Sequence, residues 1–223
     1  MRAKSNHPWP KNIIQKGGEM DKEVEEKLIL VCRSEIKILE LIFQSFRTLN
    51  EKSIEEADQI KEEVRRNSAE LAKFVIARSS PTWKGKEWAK PYLSMASSFD
   101  RMGYNMEGIL TQLKAMAKDH SHFSDRAIKE VNDIFQEAMD LLESLPDLIQ
   151  TKNKLLAQHI GEQVWSILKI ANGYSEEHED RLIQGVCMPK SSPLYLGLLE
   201  SLKGIIMHIL EVSGKIVSIS LRS

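Results

Sequence analysis

The sequence is poor in cysteine, with Cys32 and Cys187 alone among 223 residues. Both lie in apolar surroundings, and neither has the CxxC partner that zinc or redox sites use. Two such cysteines do not make the framework of a disulfide-rich secreted domain. We therefore expect two free thiols in a reducing compartment, which favours a cytoplasmic protein.

An excess of either charge is also missing. The 31 lysines and arginines nearly cancel the 32 aspartates and glutamates, for a net charge of −1. The sequence therefore predicts no general attraction to nucleic acid. The most apolar stretch, residues 194–221, contains Glu200, Lys203, Glu211 and Lys215, which are costly at the centre of a bilayer. We expect no membrane span, and we expect specific protein surfaces as partners.

The residue patterns of common catalytic sites are absent as well. No glycine-rich phosphate loop, HExxH or GxSxG sequence occurs. No histidine follows a glutamate by three positions, which is the pairing that di-iron carboxylate bundles need. Asp119 and His122 come nearest to such a pair, at a position where a helix end is the favoured interpretation. The sequence therefore predicts a protein that is not an enzyme.

What the sequence has in abundance is helical periodicity. Apolar residues recur every three or four positions with charges between them, and no segment shows sustained strand alternation. The predicted helices cover residues 20–49, 53–79, 91 to about 119, 125 to about 146, about 147–171, and 193 onwards. The boundary signals are Ser53 and Ser124 as N-caps, Pro91 as a helix start, and Pro146 and Asn172-Gly173 as stops. This pattern predicts an all-α fold of six long helices.

The second half of the chain is predicted to repeat the first. Residues 57–64 and 157–164 share alanine, isoleucine, glutamate and valine in register, and 100–103 match 211–214. We therefore predict two tandem antiparallel three-helix bundles, residues 20–120 and 121–223, after a disordered basic extension, residues 1–19. The residues before Met20 have codons that can form a ribosome-binding sequence, so Met20 is an alternative start to Met1.

Residues 98–109, SFDRMGYNMEGI, resemble the third-helix motif of the PhoU family, which has an acidic residue, arginine, an aliphatic residue, glycine and aspartate. The order and length of the helices resemble that family over about residues 20–221. The resemblance implies a cytoplasmic regulator of phosphate uptake and phosphate signalling built from two three-helix repeats. It also implies docking on a phosphate transporter's ATPase and on a sensor histidine kinase, and a homodimer.

Many PhoU proteins hold metal ions with the third-helix acid and an aspartate four residues later. Here Asp100 is followed at that spacing by Tyr104, and Glu211 by Lys215, so each motif has lost one carboxylate. The resemblance thus implies at most a weakened site for a divalent metal or iron, and no cofactor is the favoured expectation. The candidate ligands are Asp100, Glu211, Glu62 and Glu162.

The third helices of the two predicted repeats also contain two glycines and one polar pair. Gly103 and Gly214 are predicted to allow close packing between the repeats, because glycine inside a helix is otherwise unfavourable. His208 and Glu211 are three residues apart and can share a hydrogen bond on one helix face. A surface pair is the favoured interpretation.

Trp83 and Trp88, with three neighbouring lysines, are predicted to form a short basic loop. Covering of the core at the bundle's end is the favoured interpretation, and anchoring of a partner protein or a membrane surface is the alternative. Residues 176–180, EEHED, are predicted to begin a solvated helix, with docking of a basic partner as the alternative.

Two other functions remain open from the sequence. One is a helical companion or tail of a sodium/phosphate cotransporter. The other is a metal-free helical scaffold or adaptor unrelated to phosphate.

Overall fold

The computed structural model describes residues 22–220, and within this range it contains six α-helices and no strand. They are α1 (Lys22–Thr48), α2 (Glu51–Arg78), α3 (Trp83–Asp119), α4 (Asp125–Thr151), α5 (Lys154–Ile183) and α6 (Ser192–Ser220). The prediction of an all-α fold of six long helices is confirmed. The predicted basic extension, residues 1–19, and the alternative start at Met20 lie outside the described residues.

Side-chain caps fix where four of the helices begin. The side chain of Ser124 accepts a hydrogen bond from the N–H of Ala127, as predicted. Asn50, Thr82 and Asn153 cap α2, α3 and α5 in the same way. The prediction that Ser53 caps the second helix is wrong, because its hydroxyl lies within α2 and donates to the Asn50 carbonyl.

Three predicted helix boundaries are wrong, the start at Pro91 and the ends at Pro146 and Asn172-Gly173. Pro91 and Pro146 lie inside α3 and α4, and α5 runs through Asn172-Gly173 to Ile183. A proline inside a helix removes one backbone hydrogen bond, but here the flanking turns are buried, and tertiary packing outweighs the local preference. Trp83 and Trp88 therefore lie on a helix rather than a loop, and residues 176–180 lie within α5 rather than at a helix start.

The helices form two three-helix units joined side by side. Helices α1, α2 and α3 contact one another, as do α4, α5 and α6, and the units meet through α3 with α6 and α1 with α4. One hydrophobic core runs through both. Phe135 of α4 stacks on Phe43 and Phe46 of α1, with ring centroids 5.1 and 5.6 Å apart. The predicted boundary at residue 120 falls between α3 and α4, and the division into two repeats at that point stays a prediction.

Candidate functional site at the α3–α6 seam

The seam between α3 and α6 is the most extensive contact between any two helices in the described residues. A Cβ atom at Gly204 would stand 2.4 Å from Asn105 Oδ1, and one at Gly197 would stand 2.8 Å from Gln112 Nε2. Residue numbers rise along α3 as they fall along α6, so the two helices are antiparallel. Glycines therefore line the close approach of the two helices, Gly197 and Gly204 on α6 and Gly108 on α3, where a Cβ atom would stand 2.8 Å from Ser201 Oγ.

The two glycines chosen from the sequence do not have this role. Gly103 is buried, but a Cβ there would meet only Arg65 Cγ of α2, at 4.0 Å, within the same three-helix unit. Gly214 is exposed, and a Cβ there would meet no atom of the described residues within 4 Å. The prediction that Gly103 and Gly214 bring the repeats together is therefore wrong.

Glu211 of α6 is the most fully partnered of the candidate metal ligands. Its Oε2 accepts hydrogen bonds from Ser98 Oγ at 2.8 Å and Arg101 Nη2 at 3.4 Å, and lies 3.0 Å from His208 Nδ1. Burial alone raises the pKa of Glu211, but the hydrogen bonds of His208 and Ser98 hold that pKa below its ordinary value. The i, i+3 pair of His208 and Glu211 is present, and Glu211 also joins α6 to α3.

Asp100, the other third-helix acid, is instead close to a buried carboxyl of α1. Glu35 is completely buried, and within residues 22–220 neither of its carboxyl oxygens has a hydrogen-bond partner. Burial raises the pKa of Glu35 well above its ordinary value, and repulsion from Asp100 raises it further. Glu35 was not singled out from the sequence. The spacing of the apolar residues of α1 shows that Glu35 lies on the same face, but it does not show which groups surround its carboxyl oxygens.

The four candidate metal ligands do not fit a metal ion as they are arranged. Glu62 pairs with Arg65 at 3.5 Å, and Glu162 accepts a hydrogen bond from Gln158 at 2.8 Å. Glu211 is bound to Arg101, which supplies the positive charge that a metal would otherwise supply. Between residues 22 and 220, no three His, Cys, Asp or Glu side chains converge as metal ligands would.

The tryptophans at the beginning of α3 differ in exposure. Trp83 is 72% exposed, and the Lys90 ammonium lies 5.3 Å above its ring. Trp88 is half-buried against Tyr92, with ring centroids 5.2 Å apart. Of the two, Trp83 therefore presents its ring to solvent, and Trp88 covers the end of the first unit.

A buried ionic cluster in the second unit was missed from the sequence. Glu130 of α4 accepts two hydrogen bonds from Arg181 of α5, at 3.0 and 2.8 Å, and one from the Tyr195 hydroxyl of α6, at 2.6 Å. Arg126 adds a fourth at 2.9 Å. Burial raises the pKa of Glu130, but these hydrogen bonds outweigh burial and bring the pKa below its ordinary value. A carboxylate so fully partnered holds three helices together.

His178 extends this cluster toward the beginning of α6. Its ring stacks on Tyr195 at 4.4 Å between centroids, and its Nε2 lies 2.8 Å from Ser192 Oγ. Burial, and then the charge of Arg181, lower the pKa of His178. The signal that could have revealed the cluster is the spacing of the buried residues of α5, which continues unbroken past Gly173 from Ala171 to His178 and Arg181.

No helix within residues 22–220 has the length and apolar character needed to cross a bilayer. The partnered side chains of the seam and of the buried cluster hold the helices together.

Comparison with solved structures finds a similar fold. The crystal structure of PhoU, the phosphate transport system regulatory protein from Streptococcus pneumoniae, matches 89% of this chain with 93% of its own, at a TM-score of 0.68 and 15% sequence identity. No protein-family model matches the sequence, and no curated protein matches it. At that identity the likeness concerns the fold, so the conclusion is that this chain has a PhoU-like fold.

Proposed function

We propose that the protein is a cytoplasmic regulator of phosphate uptake and phosphate signalling, which acts by docking on other proteins rather than by catalysis. The observation that carries this proposal is the structural match over 89% of this chain and 93% of the PhoU chain. The third-helix segment, residues 98–109, adds a resemblance in sequence that is independent of the helix arrangement.

The partners proposed from this resemblance are a phosphate transporter's ATPase and a sensor histidine kinase, and the protein itself is proposed to be a homodimer. Trp83 is the proposed docking residue at the beginning of α3, because exposed tryptophans are frequent anchors of protein interfaces. Trp88, which lies within two helical turns of Trp83 on α3, is proposed to support Trp83 in this docking.

A metal-free adaptor unconnected with phosphate is the second candidate. The pairing of Arg101 with Glu211 favours it, since this pairing occupies the carboxylate that metal-binding relatives would use. The two candidates share the fold and the docking role, and they differ only in whether phosphate is the signal.

The test is deletion of the gene in its native cell, with a phosphate-responsive reporter and labelled phosphate uptake as readouts. We expect the deletion to derepress the reporter in high phosphate and the wild-type gene to restore repression. Complementation by Trp83→Ala should be incomplete, whereas Trp165→Ala, which removes another exposed tryptophan from α5, should complement fully. An unchanged reporter and unchanged uptake in the deletion strain would leave the metal-free adaptor as the better reading.

A further inference from the structure

Three large apolar side chains are exposed together where α5 ends. Ile183 is 84% exposed, and Val186 and Met188 are each 69% exposed. We call these three residues the apical patch. Single exposed apolar residues are ordinary on a protein surface, but three within six consecutive positions point to an interaction site.

The backbone that carries the apical patch is held by hydrogen bonds. Gly185 has φ +71° and donates to the Leu182 carbonyl at 3.1 Å, and Val186 N–H donates to the Arg181 carbonyl at 2.9 Å. This pair of bonds is the Schellman ending of a helix, in which a residue at the position of Val186 usually packs back on the helix. Here Val186 faces solvent instead, on a backbone that needs little further ordering when a partner binds.

The far end of the same connection contacts the end of α3 and the segment between α3 and α4. Lys190 Nζ lies 3.4 Å from Asp119 Oδ2, and Ser191 Oγ donates to the His122 carbonyl at 3.5 Å. The Arg181 carbonyl accepts from Val186, and the Arg181 side chain is bound to Glu130 in the buried cluster. Contacts on both sides therefore fix the position of the apical patch.

One face of α5 leads to the apical patch and is negatively charged. Glu176, Glu179, Asp180 and Ile183 follow the i, i+3, i+4, i+7 spacing, which places them along one stripe of a helix. All four are exposed. Among the described residues, salt bridges engage the neighbouring Glu177, with Arg126 and Arg181, but not these three acids. We call Glu176, Glu179 and Asp180 the acidic stripe.

We propose that the apical patch and the acidic stripe together dock a basic amphipathic helix of a partner protein, whose apolar side chains cover Ile183, Val186 and Met188. Lysines or arginines beside those side chains would face the acidic stripe, which gives the charge complementarity that selects a partner. This inference rests on the proposed function only in taking docking on proteins as the task of the chain.

The sign of the charge argues against other occupants. Anionic lipid headgroups and nucleic-acid phosphates would be repelled by the acidic stripe. A second copy placed symmetrically would bring its own acidic stripe against this one, since a twofold interface joins the same surface of both copies. A basic partner would not be repelled by the acidic stripe.

The test measures binding of a labelled peptide of about 14 residues, long enough to form a helix, with leucines on one face and lysines on the other. Fluorescence anisotropy of the full chain should show binding that weakens as salt is raised. A peptide with glutamates in place of the lysines, and one with the same residues in scrambled order, should bind at least about tenfold more weakly. Equal binding of the scrambled peptide would overturn the inference.

Variants of the chain locate the binding surface. Val186→Ser with Met188→Ser should weaken binding about tenfold or more, and Glu176→Gln with Glu179→Gln and Asp180→Asn should remove most of its salt dependence. The matched controls are Leu155→Ser, at the opposite end of α5, and Glu63→Gln with Glu70→Gln, which remove exposed acids of α2. Binding by the patch variants as tight as wild type, with unchanged circular dichroism, would overturn the inference.

Self-association through the same surface is the other outcome that would overturn it. If size-exclusion chromatography with light scattering shows an oligomer that Val186→Ser with Met188→Ser converts to a monomer, the occupant is a second copy. The peptide assay and the phosphate reporter are separate readouts. Peptide binding in a protein whose deletion leaves the reporter unchanged would overturn the proposed function and support this inference.

Discussion

The amide side chain of Asn105 on α3 lies against the backbone of Gly204 on α6, so that a Cβ atom added to Gly204 would stand 2.4 to 2.7 Å from its terminal atoms. Asn105 also donates from Nδ2 to the Arg101 carbonyl at 3.0 Å, which holds it in this position. Contacts this short are not found for real Cβ atoms, so the seam at this point requires either glycine or a displaced asparagine.

Gly204→Ala should therefore destabilise the protein, whereas Gly214→Ala, at an exposed position with open space, should stabilise it by about 0.5–1 kcal/mol. The free energy of unfolding in urea measures both. In an Asn105→Ala background, Gly204→Ala should recover the gain that alanine normally gives within a helix. Equal effects of the two glycine substitutions in the wild-type background would contradict the structure of the seam.

Arg181→Met should be the most destabilising change at the buried cluster. It leaves Glu130 buried with the loss of two charge-assisted hydrogen bonds, which costs about 3 kcal/mol. Glu130→Met with Arg181→Met should cost less than Arg181→Met alone, because no charge is then left without its main partner. Arg66→Met, on the exposed face of α2, is the control and should change the free energy of unfolding little. A double variant as unstable as the sum of its two single variants would argue against the pairing.

Glu35→Gln should stabilise the protein increasingly as pH rises. The raised pKa of buried Glu35 means that the folded chain holds the proton more tightly than the unfolded chain does. The contribution of Glu35 to stability is therefore complete below the unfolded pKa, about 4.3, and is lost as pH rises through the folded pKa. Glutamine resembles the protonated carboxyl group and stays neutral at every pH. The gain in the free energy of unfolding should therefore reach about 1–3 kcal/mol above neutral pH. Parallel stability curves for variant and wild type between acid and alkaline pH would exclude this role for Glu35.

Protein purified without chelator or affinity-tag metal should contain less than one equivalent of iron, manganese, zinc or magnesium. The physical reason is the Arg101 guanidinium already bound to Glu211, with no second carboxylate at position 104 or 215. Elemental analysis beside Asp100→Ala with Glu211→Ala measures this directly. A stoichiometric metal in the wild type that the double variant lacks would show that other side chains complete the site.

The helical periodicity was enough to predict six helices and their order, because each helix has one continuous buried face. The ends were harder to predict. Pro91 and Gly173 are strong local signals, but the buried residues Tyr92 and Ala171 beside them belong to faces that pack on other helices. That packing outweighs the cost of one lost hydrogen bond or one helical glycine. This outcome is visible only in the contacts of the folded chain and not in the local sequence.

The candidate sites were harder to predict than the fold for a related reason. Whether an acid can bind a metal depends on which charges surround it, and Glu211 meets Arg101 across more than a hundred residues of sequence. Glu130 and Arg181 likewise belong to different helices, and the acidic neighbours of Arg181 in sequence suggested a solvated surface. A local sequence pattern shows neither the pair of Glu211 and Arg101 nor the pair of Glu130 and Arg181.

The joining of α1 to α4 and of α3 to α6 has a mechanical consequence. The two three-helix units share one core and meet along two pairs of helices, so residues 22–220 have no narrow waist at which one unit could swing against the other. A partner bound at the end of α5 would therefore tilt all six helices together, and the opposite end, about 40 Å away at 1.5 Å per helical residue, would move with them. A displacement at one end of such a rigid bundle would be transmitted to the other end, as by a lever.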